Sequence, residues 1–518
     1  MIFSKKYQII FLLLILSLAV FFRFWQIGSI PPGLYPDEAI NGNDARQTLE
    51  NGQFNVFYPE NNGREGVFIW LISLSFYLFG SAIWSLRLVS AVFGVLTVLG
   101  LYLLAQELFN KKIALASSFF LAVSFWHTNF SRISFRAILV PFLLCFSFYF
   151  LWRAFHRNTL SDYIWSGLFF GLGFYTYIAF RMAVLILGLV LLMRIIDYWL
   201  KNKYRQISWP WAYFKGSWWK VDVFLLTIFI VALPIGLHFL NYPQDFLGRA
   251  GGVSVFSQEN PYKEIFLSTV KTLGMFNLVG DQNWRHNLAG QPMLSWPIGL
   301  LFIIGLVLVI KNLFKDRDTS VFLIGWFLIM LLPSILTCEG LPHALRTIGV
   351  IPVVYILAAL GLALVFRWVS KINRLTAFLI IGFLLVYPAL DNFNKYFFKW
   401  AQDPNVPGAF RQDLVKLTDS LKDWPAETKK YIIVNEPGVR VPYPDGLPMP
   451  AQTIIFQSEA KNLPINYLAE DQKSWTDLSQ PALIVLLKKD ASILEQLSKT
   501  WPDGIIKQIN EFTAYQIK

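Results

Sequence analysis

The sequence predicts a mostly α-helical polytopic membrane protein with about eleven transmembrane helices and a small C-terminal α/β domain, and three observations predict it. Composition is the first. Of 518 residues 55% are hydrophobic and 15% charged, with a mean hydropathy of +0.47, whereas a soluble globular chain carries about 25% charged residues. The second is a series of apolar segments close to the ~20 residues that cross a hydrocarbon core. The third is the placement of short basic clusters in every second interval between those segments.

The first span covers 8–25. Lys5 and Lys6 ahead of an apolar run have the look of a signal peptide. No small-x-small cleavage site follows, and Arg23-Phe24-Trp25 is bulky, so the segment reads as an uncleaved first helix. Further spans are expected at 82–108, 112–130, 134–154, 162–180, 183–200, 221–240, 297–310, 320–337, 347–366 and 374–391. With a cytoplasmic N-terminus the inner intervals hold Lys111 and Lys112; Arg153 and Arg157; Lys201, Lys203, Arg205, Lys215 and Lys220; Lys311, Lys315 and Arg317; and Arg367, Lys371 and Arg374. The first outer loop, 26–81, holds Asp37, Glu38, Asp44, Glu50, Glu60 and Glu65 against only Arg46 and Arg64. This asymmetry predicts an integral protein of the plasma (inner) membrane with its C-terminus outside, and it accounts for the net charge of +12 without nucleic acid as a partner.

Residues 66–79 are apolar but too few to span, and counting them would place the basic loops outside. They are expected as a helix lying in the outer interface, with Trp70 and Tyr77 at headgroup level. A second outer loop, 241–296, is long enough to be functional or to hold helices of its own. The membrane domain is therefore expected over 1–391 and an extracytoplasmic α/β domain over 392–518, where Pro404, Pro407 and Pro437 and ordinary charge density appear. Within it 431–434 and 482–487 read as buried strands, 491–500 as a helix and 512–517 as a closing strand.

Candidate chemistry begins at Asp37 and Glu38, adjacent carboxylates on a loop facing water. A carboxylate beside an acceptor hydroxyl is a general base. Pro36-Asp37-Glu38-Ala39 also has the composition of a first helical turn, and both readings stand at this level. On the same side of the membrane lie Arg64; Arg132 and Arg136, four apart and expected to share a helix face; Arg181; and His343 with Arg346. The positive-inside rule disfavours arginines there, so they call for an anionic partner. The acids of the first loop are one such partner. A phosphate at the lipid boundary is the other, because the guanidinium fork matches its oxygens. His127 and His238 read as packing or hydrogen-bonding groups at helix ends, and His286 as a ligand only if a carboxylate joins it. Cys145 and Cys338 offer neither a disulfide framework nor a paired-cysteine zinc motif.

Asp37-Glu38 in the first outer loop, then Arg64-Glu65-Gly66-Val67-Phe68-Ile69-Trp70, Leu78-Phe79-Gly80 and Ser85-Leu86-Arg87-Leu88, resemble the GT-C class of polytopic glycosyltransferases. Within that class the pattern is most similar to the protein O-mannosyltransferase and aminoarabinose transferase group, glycosyltransferase family 39-like. It covers 8–200 well and the later spans more loosely. The resemblance implies inverting transfer from a polyprenyl-phosphate sugar to an acceptor, whether lipid, glycan or protein, at the outer face. Asp37 matches the catalytic acid of the family and Glu38 its neighbour, while Arg64 stands where the aminoarabinose transferases usually have lysine. Those relatives carry a metal-binding glutamate just before that lysine. Here the position is Gly63, so their metal site does not transfer; no metal ligands are assigned, no cofactor is certain, and a divalent ion is left open.

On this reading Asp37 takes the acceptor proton, and Arg64, Arg132, Arg136 and Arg346 stabilise the leaving phosphate, with Glu65, Arg181 and His343 as further substrate contacts. The chain has no Rossmann fingerprint or P-loop, consistent with energy stored beforehand in the lipid-linked sugar. The rival class is a lipid or polysaccharide transporter or flippase. Paired repeats and polar coupling residues at mid-membrane would mark one, and the sequence has neither.

Overall fold

The computed structural model describes residues 5–202, 218–441, 446–469 and 478–518, so Lys203, Arg205 and Lys215 of the expected inner cluster lie outside the described residues. In chain order the elements up to the middle of the protein are α1 (Lys5–Phe24), α2 (Pro36–Asn51), β1 (Phe57–Tyr58), β2 (Arg64–Glu65), α3 (Val67–Phe79), α4 (Ile83–Leu108), α5 (Lys111–Ala122), α6 (Phe125–Phe130), α7 (Leu139–Arg157), α8 (Leu160–Gly173) and α9 (Ala183–Asn202). The chain divides into two compact units. The first comprises Met1–Ile27, Glu65–Phe68 and Ser90–Trp400, the second Gly28–Arg64, Ile69–Val89 and Ala401–Lys518.

The first unit is helical. Among the described residues of the whole chain, eight helical segments are long and apolar enough to cross a membrane: Lys5–Phe24, Ile83–Leu108, Arg136–Arg157, Ile178–Asp197, Trp218–Asn241, Arg317–Ile335, Ile348–Ile372 and Arg374–Trp400. Eight of the eleven expected spans coincide with these segments. Segments 112–130, 162–180 and 297–310 carry helices of 12, 14 and 16 residues instead. The first is cut where Ser124 turns the chain, its Oγ accepting the His127 N–H at 3.1 Å to cap α6. At the centre of the unit runs Ile351–Ile372, buried without interruption from Ile351 to Leu362, as expected of a helix that is apolar all round. Residues 241–296 hold helices Pro243–Gly252 and Pro261–Gly274.

The second unit contains a five-stranded mixed sheet in the order β4-β3-β5-β7-β6, from β3 (Lys429–Val434), β4 (Asn466–Ala469), β5 (Ala482–Leu486), β6 (Ile505–Ile509) and β7 (Phe512–Ile517). β3 pairs in parallel with β4 and β5, and β7 runs antiparallel to β5 and β6. Period-two alternation sends Ile432 and Val434 to one face and Tyr431 and Ile433 to the other. Helices Gln412–Lys422 and Ala451–Ala460 cover the first face through Leu414, Leu417, Leu421, Ile454 and Ile455, and Ala491–Thr500 covers the second through Ile493 and Leu497. The C-terminal α/β region is present, and the compact unit that holds it resumes at Ala401, where the last long helix has ended at Trp400. It also includes most of the first loop, α2 among it.

Candidate active site

In the second unit the acidic motif is a helix N-terminus. Tyr35 is the N-cap, with extended φ −69° and ψ 143°, Pro36 takes the first position, and Asp37 and Glu38 fill the first turn. The two carboxylates have different surroundings. Glu38 is fully buried and gripped by Arg87, whose Nε donates to Oε2 at 3.0 Å and whose Nη2 donates to Oε1 at 3.1 Å. Arg87 also donates to the carbonyls of Pro31 at 2.8 Å and Gly33 at 2.9 Å, so this pair closes the loop onto the helix. Asp37 is half-buried and accepts from Asn61 Nδ2 at 2.8 Å.

Arg64 is 1% exposed. Its Nη2 meets Asp44 Oδ2 at 2.5 Å and Glu60 Oε2 at 3.7 Å, and its Nη1 donates to Asn41 Oδ1 at 3.1 Å. Burial pushes the Asp44 carboxyl up from 3.8 to about 6; the attraction of Arg64 opposes this and the repulsion of Glu60 adds to it. Burial wins because little water reaches the pair. An arginine enclosed by three acceptors ties α2 to the 60–64 turn.

In the first unit, Glu65 is buried and joins two guanidiniums: Arg136 Nε donates to Oε2 at 2.7 Å, and Arg181 Nη2 stands 3.9 Å from Oε1. Aromatic faces support both cations. Arg136 lies over Tyr177 at 5.5 Å, and Arg181 over Phe246 at 4.2 Å and Phe239 at 5.0 Å. Arg181 Nη1 also donates to the Phe246 carbonyl at 2.6 Å. Their side chains keep 20% and 18% exposure, so two positive charges facing one negative remain within reach of a ligand. An excess of positive charge at a partly dry site favours an anion.

Arg132 and Arg136 do not share a helix face as the spacing suggests. α6 ends at Phe130, and Phe135, with extended φ −110° and ψ 124°, separates the two before the next helical turn. Arg132 is fully buried and donates to the carbonyls of Phe22 at 3.0 Å and Trp25 at 2.6 Å, under the rings of Tyr396 and Phe397. Arg346 is 6% exposed, its Nη1 donating to Thr337 Oγ1 at 2.7 Å and the Glu339 carbonyl at 2.8 Å.

His343 belongs to another group. Asp281, His286 and His343 bring ligand-type atoms within 4.8 Å of one another, and two imidazoles with a carboxylate suit Zn²⁺. The Asp281 carboxylate is already satisfied, however: Oδ2 accepts from Ala344 N–H at 2.8 Å and contacts His286 Nδ1 at 2.9 Å, and Oδ1 accepts from Asn283 N–H at 2.8 Å. These contacts pin the long loop to 343–344. Sequence reasoning missed Arg87 as the partner of Glu38. The signal was an arginine inside an apolar span, which calls for a carboxylate or backbone carbonyls to hold it.

Residues 66–229 match the model of the family described as dolichyl-phosphate-mannose-protein mannosyltransferase. An uncharacterized protein of Aquifex aeolicus is 25% identical over 422 residues, covering 75% of this chain and 76% of that one. ArnT from Cupriavidus metallidurans, solved bound to undecaprenyl phosphate, superposes with a TM-score of 0.56 at 13% identity, over 99% of this chain and 98% of ArnT. The Archaeoglobus fulgidus oligosaccharyltransferase gives a TM-score of 0.54 at 15% identity over 91% of this chain, which spans 65% of that enzyme's length.

Proposed function

We propose that this chain is a GT-C glycosyltransferase of the protein-mannosyltransferase-like kind, a reading its similarities support, and that it moves a sugar from a polyprenyl-phosphate donor to an acceptor at the outer face of the plasma membrane, with inversion. The observation that carries the reading is the pair Arg136 and Arg181 sharing the single carboxylate of Glu65 while both remain partly exposed. That arrangement suits a phosphate on which negative charge grows as the glycosidic C–O bond breaks. Asp37 is the base: it removes the proton of the acceptor hydroxyl, whose oxygen attacks the anomeric carbon as the lipid phosphate departs. Asn61 holds its carboxylate in place. Glu38 and Arg64 serve as scaffold in this reading, because each is buried in an ion pair within its own unit. Arg132 braces the end of α1, and Arg346 holds the 337–346 turn. Basic inner loops and the acidic first loop support a cytoplasmic N-terminus.

The test is a panel of radiolabelled polyprenyl-phosphate mannose, glucose and aminoarabinose presented to the purified chain with bacterial membrane extract as acceptor source. The expected result is glycoside formation from one of them, one lipid phosphate released per sugar, and an inverted anomeric configuration. Absence of turnover with every donor, or retention of configuration, contradicts the reading.

A further inference from the structure

The acidic helix is held by the far end of the chain. A series of contacts within the second unit connects residues 33–46 to residues 410–459. Gly33 has φ +80°, and a Cβ there would sit 2.5 Å from the Phe410 carbonyl oxygen and 2.7 Å from Gln412 N, so the turn before α2 lies directly on the start of helix Gln412–Lys422. The buried Thr453 hydroxyl donates to the Leu34 carbonyl at 2.9 Å. Asn43 Nδ2, buried, donates to both Gln452 O at 3.1 Å and Gln452 Oε1 at 2.8 Å. At Gly42 the edge of the Phe456 ring comes within 2.5 Å of where a Cβ would be, which only glycine allows.

Arg46 completes the grip. It pairs with Glu459, donates to the Phe456 carbonyl at 3.2 Å and lies 5.2 Å from the centroid of the Phe456 ring. Ile40 also packs into a small cluster with Val441 and Met449. Helix Ala451–Ala460 therefore meets α2 along its length, while Asp37 itself projects from the first turn.

We propose that helix Ala451–Ala460 is a positioning element for the transferase, with Gln452, Thr453 and Phe456 as positioning residues that set the placement of Asp37 through α2. The C-terminal region is on this view part of the catalytic apparatus, and not an appended module with an activity of its own. The inference rests on the assignment of Asp37 as base. Its physical basis is that a base must meet the hydroxyl within a fraction of an ångström, and a displacement of about 1 Å costs on the order of 10²-fold in rate.

The experiment uses the full-length chain in nanodiscs with the polyprenyl-phosphate sugar that the panel identifies, alongside Asp37→Asn. Gly42→Ala, which pushes α2 off the Phe456 ring, is expected to lower kcat by roughly 10²-fold with the donor KM within about twofold. Adding Phe456→Leu makes room for the methyl group and is expected to restore most of kcat. With kcat normalised to the folded fraction, a protein merely destabilised by Gly42→Ala would turn over at the wild-type rate, so a lowered kcat per folded molecule separates a positioning role from loss of fold. If Gly42→Ala does not fold, Gln452→Ala reads the same effect through the Asn43 contact. Unchanged kcat in folded Gly42→Ala or Gln452→Ala, with Asp37→Asn inactive, overturns the positioning role and leaves the base assignment standing. Full activity in Asp37→Asn overturns the base assignment instead.

Discussion

The acids of α2 and the arginines around Glu65 handle buried charge in opposite ways. In the second unit, Arg87 pairs with Glu38 and Arg64 with Asp44 and Glu60. In the first unit, Arg136 and Arg181 share Glu65, and the fully buried Arg23 and Arg132 are held through backbone carbonyls, those of Ala19, Leu121 and Ala122 for Arg23 and those of Phe22 and Trp25 for Arg132. In one region the buried arginines are matched by carboxylates, and Asp37 lies half-buried at its edge. The other sets two guanidiniums on one carboxylate. On the proposed function, one region supplies the base and the other supplies two guanidiniums for the leaving phosphate.

The largest predicted effect breaks the neutralised side. Arg87→Ala leaves the Glu38 carboxylate buried without its cation and removes two donors to the 31–33 loop. A loss of about 3–5 kcal/mol is expected, read as a large drop in the detergent melting temperature. On the cationic side, Arg136→Ala leaves the Glu65 carboxylate with Arg181, so it should lower the melting temperature less than Arg87→Ala does while lowering kcat by about 10²–10³-fold, as for other preorganised charge-stabilising groups. Equal effects of the two substitutions on stability would erase the contrast.

A smaller effect is set by pH. Because the Asp44 carboxyl titrates near 6 in the folded protein and near 3.8 otherwise, the folded state keeps a proton that the unfolded chain has released between those values. Stability therefore falls as pH rises through that window, by on the order of 2–3 kcal/mol, and levels off above it. Melting curves from about pH 4 to 7 should show this decline, and Asp44→Asn should flatten it. A wild-type profile that rises with pH in this range would show that the attraction of Arg64 outweighs burial. The smallest effect is at Asn61: removing its hydrogen bond to Asp37 by Asn61→Ala should lower kcat roughly tenfold with the fold intact.

Local pattern carried much of the fold. Apolar β-branched runs announced β3 and β5, and 491–500 and 512–517 fell where periodicity placed them. β4, four residues beginning with Asn466, was too short to register, and β6 was missed because four of its five residues are exposed at the sheet edge. Hydropathy does not see Ser124 cutting one apolar run into α5 and α6, so the single helix expected over 112–130 is divided. At the site, the helical start at Pro36-Asp37-Glu38 was legible from composition. The partners were not: Glu38 meets Arg87 across 49 residues and Asn43 meets Gln452 across 409. Pairings of that range are decided by packing, which a linear reading of residue types does not contain. Arg132 and Arg136 illustrate the converse, since helical spacing implied a shared face that the extended Phe135 abolishes.

The most direct test of the central claim is the turnover of Asp37→Asn with its polyprenyl-phosphate sugar donor, measured beside donor binding and the melting temperature. The account predicts a fall in kcat of about 10²–10⁴-fold, with donor binding and melting temperature retained. A folded Asp37→Asn protein that transfers sugar at the wild-type rate would contradict it.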